Sequence, residues 1–184
     1  MSKKSYSRNS LIMSLLLSVV FSAPVQGATT FLIEGFESAF SDGAPVGWTE
    51  VFTNWLFDGW VQKAGHYDLM NPGEAHSGNY NAVLYFPNNF EDHKVWLITP
   101  PINFGETESA TLEFYHLQRQ GMAGGQDDLR IYYRRSETGS WTLLKSYTSE
   151  VETWTKRKIS LPNLRSSYYI GFLGNAKYLS LIHI

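Results

Sequence analysis

The sequence predicts an all-β fold, a jelly-roll β-sandwich of two antiparallel sheets. Three observations carry that expectation. Apolar and polar residues alternate with a period of two over many short runs. Aromatic residues make up 15% of the chain, with 6 Trp, 11 Tyr and 11 Phe, and such side chains favour pleated, half-buried surfaces. No amphipathic helical repeat separates the runs, and short strands joined by polar turns without helices pack as two stacked sheets. At 184 residues and 43% hydrophobic, the chain is of single-domain size and can bury one core without covalent staples.

The elements follow in chain order. Lys3, Lys4 and Arg8 precede an apolar run over 11–21 and a short polar-to-small stretch up to Ala28, the three-part layout of a secretory signal peptide. That run is shorter than a membrane-spanning helix, so residues 1–27 are expected to be cleaved, leaving no stable transmembrane segment, and the protein is expected outside the cell. Strands are expected over 31–36, 48–52, 80–86, 94–98, 110–117, 129–134, 141–147, 156–161 and 168–173, separated by Gly, Pro and Asn clusters. Leu112, Phe114 and His116 alternate with Thr111, Glu113 and Tyr115; Leu129, Ile131 and Tyr133 alternate with Arg130, Tyr132 and Arg134. Between 129–134 and 141–147, the connection Ser136-Glu137-Thr138-Gly139-Ser140 has a glycine where a hairpin needs one. Pro100 and Pro101 cannot donate to a ladder, so the strand before them ends there. Trp48, Trp96, Trp141 and Trp154 suit inter-sheet core positions.

Composition also limits the chemistry. A formal net charge of −2 with no long Lys/Arg run argues against nucleic acid as a partner, and zero cysteine excludes disulfides, thiolate metal sites and a cysteine nucleophile. Ala75-His76-Ser77-Gly78 lacks the flanking glycine and following helix of a nucleophile elbow and reads as a turn. The five His have no metalloprotease spacing. Asp127-Asp128 and Glu150/Glu152 have no spacing that fixes a glycosidase pair, and the glycine-rich stretch 121–125 lies between strands, not at a helix start. Glu34, Glu37 and Asp42 lie beside Gly35 and Gly43; they either converge with loop carbonyls on a hard cation such as Ca2+ or lie solvated. Trp55, Trp60, Tyr67 and Tyr80 fall in or near the irregular stretch 54–79, where aromatics either stack on a sugar or anchor a protein partner, or close over the core. Trp55, Trp60 and Tyr67 are the ligand-binding candidates.

The order of the motifs resembles a known family. Glu34-Gly35-Phe36-Glu37, Pro45-Val46-Gly47-Trp48-Thr49, His76-Ser77-Gly78, Trp96-Leu97-Ile98-Thr99-Pro100-Pro101-Ile102, Leu112-Glu113-Phe114 and Asp128-Leu129-Arg130-Ile131-Tyr132 resemble the choice-of-anchor J domain, as do Trp141-Thr142, Trp154 and Tyr169-Ile170-Gly171-Phe172. That family is similar to gingipain cleaved-adhesin domains and, more distantly, to MAM-type domains. The resemblance implies a bacterial jelly-roll module over 28–178, secreted or on the cell surface, that binds protein or glycan without catalysis, commonly as an accessory domain of a larger secreted protein. It also implies structural calcium, with Glu37 as ligand and Asp42 and Glu34 as weaker candidates. The family's closing acidic segment is missing, and 179–184 resembles translated sequencing-adaptor sequence; this stretch is expected either to be a non-native tail, with the natural sequence continuing into the last strand, or to be a genuine short end that finishes the sheet with an apolar edge. The alternative function is a carbohydrate-active hydrolase on the same fold, with carboxylates such as Glu113 or Asp128 as acid and base.

Overall fold

The computed structural model describes residues 29–53, 59–64, 74–85, 93–120, 125–177 and 181–184. They form ten strands: β1 (Thr49–Phe52), β2 (Trp60–Lys63), β3 (Asn81–Tyr85), β4 (His93–Ile98), β5 (Ala110–Arg119), β6 (Asp128–Arg134), β7 (Thr142–Tyr147), β8 (Val151–Leu161), β9 (Tyr169–Ala176) and β10 (Leu181–His183). The first sheet runs β1-β4-β9-β6-β7 and the second β2-β3-β10-β5-β8, all pairings antiparallel. Among the described residues no helix is long and apolar enough to cross a membrane.

The period-two pattern decides which face each strand buries. Val95 and Leu97 of β4, Leu129, Ile131 and Tyr133 of β6, and Ile170 and Phe172 of β9 project into the space between the sheets and are buried. Leu84 and Ile182 meet them from the second sheet with Leu112 and Phe114, which are half-buried. Trp60 fills the middle of this layer. A Cβ on Gly174 would lie 3.0 Å from Trp60 Cζ2 and closer still to Leu84, so only glycine on β9 leaves room for the indole. Trp60 Nε1 donates to the Val95 carbonyl at 3.3 Å, a hydrogen bond from the second sheet to the first. The β6–β7 hairpin forms as expected, and Gly139 N donates to the Ser136 carbonyl, but Gly139 does not take the positive φ expected of a hairpin glycine.

Two expectations are corrected. Residues 31–36 do not form a strand: Glu34 Oε1 accepts the Phe36 amide at 2.6 Å and Phe36 has φ 59°, which bends the chain away from pleated geometry. Trp96, Trp141 and Trp154 are not between the sheets. Val95 and Leu97 take the inward parity of β4, which turns Trp96 out. There it stacks on Trp141 at 5.0 Å and 20°, and Arg134 lies 4.5 Å over the Trp141 ring. Of the four, only Trp48 packs against the core, 6.2 Å from Phe172. Within the second sheet β10 lies between β3 and β5, with every residue buried.

Candidate functional site

The second sheet contains a cleft of about 230 Å³, and its position follows from strand lengths. β5 has ten residues and pairs with β8 along most of them. On its other side β10 reaches only Leu117, Gln118 and Arg119. Beyond Ile184, whose amide and carbonyl pair with Ala82, the cleft opens between the first half of β5 and the segment leading into β3. Phe36, Phe114 and Phe172 form its apolar floor, and His76, Tyr80, Tyr115 and Trp154 its aromatic walls.

The walls are built by contacts distant in sequence. The His76 ring stacks on Tyr115 with centroids 3.4 Å apart and planes at 20°, and meets Trp154 edge-on at 5.9 Å. Trp154 Nε1 donates to the Glu74 carbonyl at 3.2 Å, tying the bend 76–79 to β8. Glu37 fixes the other end of the same segment. Its Oε1 accepts the amides of Asn79 and Tyr80 at 2.8 and 3.1 Å, and its Oε2 accepts Asn79 Nδ2 at 3.1 Å. Gly78 has φ +67°, and a Cβ there would collide with the Glu37 carboxylate; glycine is the residue that takes this turn without strain.

Charge around the cleft is set by these contacts. Glu113 bridges Lys156 at 2.6 Å and Lys158 at 2.5 Å, and hydrogen bonds from the two ammonium groups bring its carboxyl down to about 2. The backbone amides of Asn79 and Tyr80 hold the Glu37 carboxyl below its ordinary value. Glu34, on the rim, accepts the Phe36 amide. Glu37 and Glu113 are therefore fixed acceptors at neutral pH, not proton donors.

No protein-family profile matches the chain, and no curated protein does. Solved structures do. Two cleaved-adhesin domains of Lys-gingipain from Porphyromonas gingivalis superpose with TM-scores of 0.58 and 0.55 at 16% and 13% identity. The matches cover 82% and 76% of this chain and 91% and 88% of those domains. The chain has the fold of these adhesin domains.

The expected site residues do not gather as one group. Trp60 is not a surface platform: it has no exposed area and lies in the core, because β2 begins at this residue and turns it inward. Trp55 and Tyr67 lie outside the described residues. Glu34 and Glu37 both reach the cleft region. Asp42, with φ 52°, sits instead in the tight turn closed by Ser41 and Ala44. No group of three or more His, Cys, Asp or Glu residues is placed to hold a metal among the described residues, and the polar contacts above engage Glu37 with backbone amides.

The hydrolase pair is not a pair. Glu113 is on the outer face of the second sheet, opposite in parity to Leu112 and Phe114. Asp128 is on the outer face of the first sheet, opposite to Leu129 and Ile131, where it bridges Arg130 at 2.8 Å and accepts Asn175 Nδ2 at 3.1 Å. Facing sheets pack about 10 Å apart, so the two carboxylates point away from each other across the sandwich and cannot flank one bond. Of the wall residues, Tyr80 is among the loop aromatics that the sequence offers as a sugar or partner contact, whereas the sequence reads His76 as part of a turn, and it lies in a bend, and Trp154 as core. Tyr115 carried a usable signal, since it shares the outward parity of Glu113 on a strand whose alternate residues are apolar.

Proposed function

We propose that this chain is a non-catalytic recognition module that works outside the cell and binds an extracellular macromolecule, protein or glycan, in the cleft beside β5. The observation that carries this reading is the make-up of that cleft: an apolar floor, four aromatic or imidazole walls and, on its lining, the Glu113 carboxylate held ionised by Lys156 and Lys158. Recognition sites combine apolar area with a few fixed polar groups in this way. A hydrolytic site needs a carboxyl able to give up a proton near neutral pH, and Glu113, with its carboxyl brought down to about 2, has the opposite character. The adhesin domains that share the fold are consistent with a binding role, and the basic and apolar start of the sequence with export.

The test is an array of glycans and extracellular-matrix proteins probed with the folded chain and with Tyr115→Ala, in calcium and in chelator. A ligand retained by the parent and lost by the variant is the expected result. Binding that survives in Tyr115→Ala would move the site elsewhere. Turnover of a glycan would overturn the non-catalytic reading.

A further inference from the structure

The outer face of the first sheet carries a positive charge that no described carboxylate neutralises. Arg134 and Tyr169 are opposite one another in the β6–β9 ladder, and both turn outward because Tyr133 and Ile170 take the inward parity. Trp141, just before β7, is on the same face: the Arg134 guanidinium lies 4.5 Å over its ring and 4.9 Å over that of Tyr169. Arg134 Nε is buried without a hydrogen-bond acceptor, and among the described residues no ion pair engages Arg134. The three other arginines on described strands are matched. Arg119 donates to the Glu152 carbonyl, Arg130 bridges Asp128, and Arg157 donates to His116.

The neighbours of Arg134 hold it without neutralising it. Gly171 has no side chain, and Trp96 and Trp141 close over it, each 3.0 Å from where a Cβ would lie. That tight indole pair is the base on which the guanidinium rests. Two cation–π contacts restrain it, so little side-chain freedom remains to be lost when an anion binds. Arg134 and Tyr169 are both half-buried and keep surface toward solvent. The connections bordering this end of the sheet, 135–141 and 162–168, lie within the described residues.

The position of the two strands decides against a peptide. β6 and β9 are interior, with ladder partners on both sides, so this face has no free run of N–H and C=O groups for an extended chain. What it offers is ring surface beside one fixed guanidinium. A sugar ring has an apolar C–H face suited to aromatic surface, and a carboxylate on that ring is a planar anion that a guanidinium holds by paired hydrogen bonds.

We propose that the outer face of the first sheet is a second binding site, for a carboxylated sugar of an acidic glycan, a uronate or a sialate. The carboxylate is held by Arg134 and the C–H face of the sugar lies beside Tyr169. This site is separate from the cleft beside β5 and does not depend on it.

The probes are two matched pairs, trigalacturonate with its full methyl ester and sialyllactose with its methyl ester. Each is titrated by calorimetry into the folded chain, into Arg134→Gln and into Tyr115→Ala. At least one acid is expected to bind saturably and about tenfold more tightly than its ester, the order of one hydrogen bond to a charged group, and to weaken as salt is added. The acid that binds tells a uronate from a sialate. Arg134→Gln is expected to bring the affinity for that acid down to that for the ester, and Tyr115→Ala, in the cleft, to leave it unchanged. Equal binding of acid and ester by the parent chain, or no binding of either acid, overturns the proposal independently of how the variants fold. Acid binding that persists in Arg134→Gln and is lost in Tyr115→Ala also overturns it, and places the glycan in the cleft instead.

Discussion

The two sheets are built from the same kinds of strand, but among the described residues their central strands pair over different lengths. In the first sheet β4, β9 and β6 pair over six or seven consecutive residues on each side of β9, so the central strand has a partner along its length. In the second sheet the corresponding central strand, β10, has three residues and covers three of the ten in β5. The outer surfaces differ as well. On the first sheet Trp96 stacks on Trp141, and Arg134 lies 4.5 Å over the Trp141 ring and 4.9 Å over Tyr169. On the second, His76 likewise stacks on Tyr115 and meets Trp154 edge-on, but here the three rings also line the cleft. Stacking alone therefore does not separate a cover from a site; what lies beside the rings does.

The largest expected effect breaks the frame that both sheets share. Trp60 spans them, filling the space over Gly174 and donating to Val95. Trp60→Ala is expected to cost about 3–5 kcal/mol, the range for truncating a buried aromatic, measured by urea denaturation. A loss below about 1 kcal/mol, small for an aromatic truncation of this kind, would put the indole outside the core.

Acid comes next, and it acts on the second sheet. His116 is fully buried, and its Nδ1 accepts Arg157 Nε at 3.1 Å. Burial, with the Arg157 charge adding to it, brings its pKa down to about 4 from 6.5. The unfolded chain then binds the proton first, so stability is complete above pH 6.5 and falls as pH drops toward 4. The shift corresponds to a loss on the order of 3 kcal/mol. His183, held down to about 3 by burial and then by Arg119, contributes in the same direction. His116→Gln should flatten the stability curve between pH 7 and 4; parallel curves for parent and variant would show that His116 titrates normally.

Gly171 tests whether the outer face of the first sheet is a tight cover. A Cβ there would lie 3.0 Å from both Trp96 and Trp141. Overpacking of this kind costs about 1–3 kcal/mol, so Gly171→Ala should lower the denaturation midpoint accordingly. It should also change the near-ultraviolet dichroism of the stacked indoles. No change in either would mean that the pair is loose enough to act as a platform.

How much of this could be read from the sequence depends on the range of the contact involved. Strands β3 to β9 were legible because alternation is local and the apolar face is forced inward; the 129–134 and 141–147 hairpin needed only its glycine-bearing turn. The segment 31–36 carries an unbroken apolar run, Phe31-Leu32-Ile33, without alternation; it finds no partner strand, and Glu34 folds it back on its own Phe36 amide. β2 carries no period in its four residues beside a long irregular stretch, so the sequence alone leaves Trp60 between a loop contact and a place over the core. The core assignment of Trp96 went against its own strand: Val95 and Leu97 already claim the inward parity. The cleft was not legible at all. It depends on where β10 stops relative to β5 and on His76 meeting Tyr115 and Trp154, and no local pattern encodes either.

The smallest effects separate two carboxylates at the two ends of the cleft. Glu113→Gln removes two lysine bridges on an exposed strand, where ion pairs are screened and contribute little. Its denaturation midpoint should stay within experimental scatter of the parent, despite the low pKa of the group. Glu37 is as exposed, but its acceptors hold backbone amides of the segment that forms the cleft wall. Its depressed pKa makes that contribution present above the unfolded carboxyl value of 4.5 and lost as pH falls through the folded one. Glu37→Ala should therefore give a small but resolvable fall in the midpoint and faster amide exchange at Asn79 and Tyr80. The same result in calcium and in chelator identifies the carboxylate as a cap on the chain. An exchange effect that appears only when calcium is present would make it a metal ligand instead, and the second sheet would then owe the shape of its gap to an ion rather than to hydrogen bonds.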